Sequence, residues 1–167
     1  MNTWKKILLG VVVVLVGIQF IKPARNISQG TQANSIATVF TTPSEVQDIL
    51  KVSCNDCHSN NTIYPWYANV QPVAWWLQHH VNEGKEEINF DEFATYSPRR
   101  QHHKLEEMAE MINEGEMPLN SYTWIHKDAV LSAEKKQLLL NWTKEQITAM
   151  EAKYPKDSLE MPKRPKP

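Results

Sequence analysis

The two cysteines of this chain stand three residues apart in "SCNDCHSNNTIYPWY" (residues 53–67), and a histidine follows the second one directly. Cys54-x-x-Cys57-His58 constrains the fold more than any other feature of the sequence. Residues three apart share one face of a helical turn. Both thiols therefore reach one edge of a flat macrocycle while the next side chain swings beneath its centre. C-x-x-C-H is the pattern in which two thiols add across porphyrin vinyl groups and the adjacent imidazole ligates the iron. It predicts one haem c per chain, attached at Cys54 and Cys57, with His58 as the proximal axial ligand. Three other uses of the pair stay open on spacing alone. A thiol–disulfide couple has the same spacing but usually follows a strand and opens a helix. A zinc site would have to recruit His79, His80, His102 or His103. A short-loop disulfide suits an exported protein.

What surrounds the motif reads as helix. "TPSEVQDILKVSCNDCH" offers Thr42 as N-cap, Pro43 at the first helical position and Glu45 to close a capping box. A second helix is predicted from about Pro72 to Glu83, with Gly84 as its stop. Its apolar stripe is Val73, Trp76, Leu77 and Val81, which turns His80 inward and His79 outward. A third is predicted over 101–113, with Leu105, Met108, Ala109 and Ile112 packed and Gly115 ending it. A fourth is capped by Ser132 and runs to about Met150, with Leu138, Leu139, Trp142 and Ala149 on its packing face. Ten prolines against five glycines fit short helices with stiff connections.

The N-terminus is of another kind. Lys5 and Lys6 precede an uncharged apolar run, Ile7 to Ile21, that stops at Lys22-Pro23. No small-x-small cleavage site and no lipobox cysteine follow, so residues 1–25 are expected to be an uncleaved single-pass anchor in the inner membrane rather than a secretory signal. The weak lysine bias places the N-terminus in the cytoplasm and the haem domain in the periplasm. The predicted organisation is then a linker over 26–41, a haem-binding domain over 42–150, and a proline- and lysine-rich tail over 151–167. A formal net charge of −1 argues against nucleic acid as a partner.

A sixth iron ligand is sought far downstream of the motif. Met117, held in "GEMPLNSY" where Pro118 forbids helix, suits a thioether ligand that raises the reduction potential. His80 is the rival and His126 a third; an open position is the remaining case. Tyr64, Trp66, Tyr67, Trp75, Trp76, Tyr122 and Trp124 suit the walls of a porphyrin crevice, some donating hydrogen bonds to propionates. Arg99 and Arg100 are further propionate candidates.

The blocks "CNDCHSNNTIYPWY", "PVAWWLQHHVNEGK", "INFDEF" and "GEMPLNSYTWIHKDAVLS" occur in this order over residues 42–145, and together they resemble the small bacterial haem-binding domain proteins. The resemblance implies an all-α, c-type haem domain, commonly behind one N-terminal anchor and associated by gene or fusion with cytochrome c and di-haem peroxidase modules. It also implies that Cys54 and Cys57 attach the haem and that His58 is proximal. The expectation for the whole is a helical domain of cytochrome-c-like architecture that carries single electrons between redox partner proteins and is not an enzyme. The alternative is a haem sensor or peroxidase-like enzyme with an open sixth position, for which His79 with His80, or His102 with His103, would supply acid–base groups. A haem-free thiol oxidoreductase is a third class.

Overall fold

A computed structural model describes residues 2–161. Among these, helices are the only regular elements apart from one isolated bridge between Ile27 and Asn61. The α-helices are α1 (Thr3–Ile18), α2 (Ile36–Val39), α3 (Ser44–Ser53), α4 (Asn55–His58), α5 (Val73–Glu87), α6 (Pro98–Glu114), α7 (Asn120–Thr123), α8 (Ala133–Lys153) and α9 (Lys156–Leu159), with short 3-10 turns at Trp66–Asn69, Phe93–Thr95 and Lys127–Ala129. The all-α expectation thus holds.

The expected transmembrane anchor does not. Helix α1 has 16 residues, roughly 24 Å at 1.5 Å per residue, against a hydrocarbon core of about 30 Å. No helix among the described residues is long and apolar enough to cross a membrane. This overturns the single-pass inner-membrane placement, the periplasmic orientation derived from it, and the membrane as a partner. The apolar run is cut short by a contact distant in sequence. Gln19 Nε2 donates to the carbonyls of Leu15 and Gln71, and its Oε1 accepts from the Gln71 amide at 2.9 Å. Gln71 Nε2 and Trp75 Nε1 both donate to the Ile21 carbonyl. Residues 19–21 are therefore held against the start of α5 and do not continue the helix.

The stretch expected to be a linker also packs. Ile36 is 3% exposed and its amide donates to the Phe90 carbonyl at 2.7 Å. Asn26 donates to Ser59 O and Thr62 Oγ1 and accepts from Lys85 Nζ. In the tail, Leu159 joins the core from α9; residues 162–167 lie outside the described residues.

The core lies where α3, α6, α8 and α9 meet. Val46, Phe93, Leu105 and Leu139 are wholly buried in it, and Trp142 almost so. Each such side chain contributes about 1.5–3 kcal/mol by leaving water. Helices α6 and α8 form the most extensive helix pair. Ser97 caps α6 by accepting from the Arg100 amide, and Gly115 ends it in the left-handed region at φ 79°, which glycine adopts without steric cost. Helix α8 is capped by Ser132 as expected but buries Leu139, Trp142 and Met150, leaving Leu138 38% exposed. The predicted capping box of α3 is absent. Thr42 Oγ1 donates to the Phe40 carbonyl instead, and the helix starts at Ser44.

Candidate functional site

Cys54 sits at the break between α3 and α4, with φ −131° and ψ −42°. Its carbonyl accepts from the amides of Cys57 at 3.1 Å and His58 at 3.0 Å, so the motif closes into one tight turn. Asp56, between the cysteines, braces that turn. Its carboxylate accepts from the Ile63 amide at 2.9 Å and from the Tyr122 hydroxyl at 2.8 Å, and its carbonyl accepts from Thr62 Oγ1.

Helix α5 crosses directly over this turn. A Cβ built at Gly84 would lie 2.8 Å from the Cys57 carbonyl oxygen and 3.0 Å from Cys57 Cβ. The residue expected to stop the helix is instead where it touches the motif, and α5 continues to Glu87. The close approach also sets the buried face of α5. Ala74, Gln78 and Val81 turn inward, while Val73 and Trp76, expected on the packing stripe, are 38% and 50% exposed.

His58 is fixed by the end of the same helix. Its Nδ1 lies 2.8 Å from the Gly84 carbonyl and 3.1 Å from that of Ile88. Carbonyls only accept, so Nδ1 carries the proton and Nε2 keeps its lone pair. Burial pulls the imidazole pKa below its ordinary value, outweighing the two carbonyl bonds that raise it. The ring is neutral near pH 7, the form that ligates a metal.

Cys54, Cys57 and His58 line a cavity of about 520 Å³, within the range of cofactor sites. Ile88, Phe90, Ile112 and Leu131 give it apolar walls. Burial, reinforced by the charge of the neighbouring thiol, pushes Cys54 up to about 12. Burial and the Asp56 carboxylate push Cys57 up to about 11. Both cysteines are free, and thiols so resistant to ionisation are poor redox nucleophiles. Among the described residues no three His, Cys, Asp or Glu side chains gather as a metal cage, so His79, His80, His102 and His103 do not complete a zinc site with the cysteines.

A family model described as a haem-binding domain matches residues 13–145, most of the chain. The chain belongs to the haem-binding domain family. No curated protein and no solved structure matches it. The residues present fit the group that the family binds: two adjacent thiols, an imidazole of the right tautomer and an apolar cavity converge on one turn.

Other features of this haem-binding domain depart from the sequence reading. Met117 and His80 both line the cavity, but so do Met108 and Met111 of α6. Met108 had the appearance of one more packing residue; a flexible thioether among branched aliphatics was the available signal. His79 faces solvent, 65% exposed, as expected. His126 does not line the cavity. Its Nε2 lies 2.8 Å from the Tyr67 hydroxyl, and its ring stacks on Tyr122 with centroids 4.4 Å apart. The arginines are engaged elsewhere: Arg99 donates to the Asp157 carbonyl and Arg100 covers the Tyr96 ring. The cation that does line the cavity is Lys104, 2.9 Å from Glu87 and 2.6 Å from Glu107. Of the aromatics singled out, Tyr122 alone lines the cavity. Trp66 and Trp124 are 78% and 76% exposed.

Proposed function

We propose that this haem-binding domain is a single-electron carrier, with one haem c attached through Cys54 and Cys57, His58 as proximal ligand and Met117 as distal ligand. The observation that carries the proposal is the His58 tautomer: Nδ1 is committed to two carbonyls, so Nε2 is the only nitrogen left for iron. Bound here, the haem supplies a one-electron iron(III)/iron(II) couple. The chain holds the imidazole orientation through the end of α5 and offers the macrocycle the apolar side chains of Ile88, Phe90, Ile112 and Leu131. Met117 is positioned by its own backbone, whose amide donates to the Met111 carbonyl at 3.2 Å, beside that of Glu116 at 3.0 Å. A thioether held there favours iron(II) and raises the potential.

A second reading is favoured by one observation. His80 lines the cavity with its Nδ1 3.4 Å from Glu83 Oε2, a histidine–carboxylate pair of the kind acid–base chemistry uses. With an open sixth position that pair would serve a sensor or peroxidase-like enzyme.

Absorption spectra separate the two. The full chain, expressed with the c-type maturation system, is expected to give a low-spin spectrum with a methionine-to-iron charge-transfer band and no response to carbon monoxide. A high-spin spectrum that shifts with carbon monoxide favours the second reading, and a colourless protein ends both. His58→Ala is expected to abolish stable haem incorporation; normal incorporation would refute the proximal assignment.

A further inference from the structure

Beyond the turn and the cavity, the aromatic residues form an ordered series. Tyr122 lines the cavity, and its hydroxyl donates to Asp56, the residue between the two cysteines, at 2.8 Å. The His126 ring stacks on Tyr122 at 4.4 Å and an interplanar angle of 16°. His126 Nε2 meets the Tyr67 hydroxyl at 2.8 Å. Trp66 packs edge-on against Tyr67, centroids 5.8 Å apart, and is 78% exposed. Four π-systems thus run from the cavity wall to water without a gap wider than van der Waals contact or a hydrogen bond. Two distant chain segments, 64–67 and 122–126, have to meet to make the series.

We infer that Tyr122, His126 and Tyr67 form the path by which an electron from an external one-electron donor passes between the protein surface at Trp66 and the haem. The inference rests on the single-electron reading above and deepens it by giving the carrier a port. Tunnelling falls off steeply with distance and less steeply through packed, bonded atoms than across gaps. A stacked pair joined by a hydrogen bond is therefore a better bridge than the surrounding side chains. In the step, the donor loses one electron and iron(III) becomes iron(II). The bridging side chains finish unchanged, no bond breaks, and Tyr122 keeps its own proton, hydrogen-bonded to the Asp56 carboxylate. Burial together with the Asp56 hydrogen bond and charge raises the Tyr122 pKa far above the ordinary tyrosine value, in keeping with a residue that mediates without ionising.

The test uses the full chain with its haem attached and a ruthenium polypyridyl photosensitiser on a cysteine at position 66 (Trp66→Cys). Flash excitation injects an electron, and the ferric-to-ferrous absorbance change gives the rate. A second label, Lys144→Cys on the exposed side of α8, serves as the off-path control. His126→Leu, which fills the space but removes the ring, is expected to slow injection from position 66 severalfold. The rate from position 144, the absorption spectrum and the midpoint potential should stay unchanged. Should His126→Leu fail to fold, Tyr67→Leu cuts the path one residue nearer the surface and is read the same way. An unchanged rate from position 66, or equal slowing from both labels, would overturn the path while leaving the carrier reading intact. No injection from either label would refute the carrier reading and the path with it.

Discussion

Gly84→Ala tests the contact that joins α5 to the cysteine turn. Inside an ordinary helix this change is stabilising by about 1 kcal/mol, because alanine loses less backbone freedom on folding. Here the added methyl meets the Cys57 carbonyl oxygen at 2.8 Å, Cys57 Cβ at 3.0 Å and the Cys57 carbonyl carbon at 3.2 Å. Two of those three atoms are backbone of a turn closed on itself by hydrogen bonds, so no rotamer change relieves the clash. Overpacking of this sort costs about 1–3 kcal/mol, which outweighs the propensity gain and leaves a net loss of about 1 kcal/mol at the middle of that range. For a chain of this size that is a fall in Tm of about 2–4 °C where a rise of similar size is the default. Because the Gly84 carbonyl also accepts from His58, the displacement reaches the imidazole, and the haem spectrum should change with the melting point. The assay is a thermal melt of the haem-loaded chain followed by circular dichroism, with the absorption spectrum recorded alongside. A higher Tm with an unaltered spectrum would refute the reasoning from close approach.

Met117→Ala is expected to lower the midpoint potential and admit carbon monoxide to the iron, whereas His80→Ala alters neither; a potentiometric titration showing the reverse would move the distal role to His80. Lys104 joins α5 to α6 through Glu87 and Glu107. Its hydrogen bond and charge hold the Glu87 pKa below 4.5, while for Lys104 burial pulls the pKa down but the bonds to Glu107 and Glu87 outweigh it and raise it above 10.5. The Glu87 contribution is therefore lost as pH falls from 4.5 through the depressed value, and the Lys104 contribution as pH rises from 10.5 through the raised one. Lys104→Met should remove both limbs from a urea-denaturation profile against pH, by less than about 1 kcal/mol because the carboxylates are exposed; unchanged limbs would show that the cluster contributes nothing. Trp142→Phe deletes the 3.1 Å bond from Nε1 to the Thr41 carbonyl and some buried surface, and should cost about 1–2 kcal/mol in the same assay; no loss would remove that tie from the account of how residues 41–44 are fixed.

The part of the site that was legible in the sequence is the part written in contiguous residues. Cys54, Cys57 and His58 needed only their spacing, and Ser132 and Gly115 announced their helix ends through local chemistry: a hydroxyl accepting an orphan amide and a left-handed residue. What failed to read correctly depends on contacts between distant segments. The apolar run of α1 gives no hint that Gln19 pairs with Gln71 fifty-two residues later. The stripe of α5 was misjudged for a related reason. Hydrophobic periodicity assumes that large side chains mediate packing, but against the cysteine turn the backbones approach so closely that Ala74, Gln78 and Val81 face inward and the tryptophans do not. Met108 reads as core because a helix stripe does not distinguish a side chain packed on protein from one facing a cavity, and Met111, off that stripe, lines the same cavity.

The extension of α5 past Gly84 also explains how the chain sets the character of the histidine. The last carbonyls of a helix lack intrahelical partners and carry the negative end of its dipole. In α5 the Gly84 carbonyl accepts the Ile88 amide at 3.0 Å and still takes His58 Nδ1 at 2.8 Å, while the Ile88 carbonyl takes the same nitrogen from just beyond the terminus. A helix ending at Glu83 would leave His58 without either partner as now arranged. Two acceptors at a helix C-terminus pull on the Nδ1 proton, which makes Nε2 a stronger electron donor, the effect that outer hydrogen bonds have on metal-bound imidazoles. With haem held as proposed, a more basic His58 nitrogen would favour iron(III), whereas the Met117 thioether would favour iron(II). His80 lies on α5, and the Met117 loop hangs from the end of α6, the helix that Lys104 ties to Glu87 at the end of α5. Under the proposed ligation, both axial positions would be referred to one element, and the potential would follow from where α5 ends as much as from which residues face the iron.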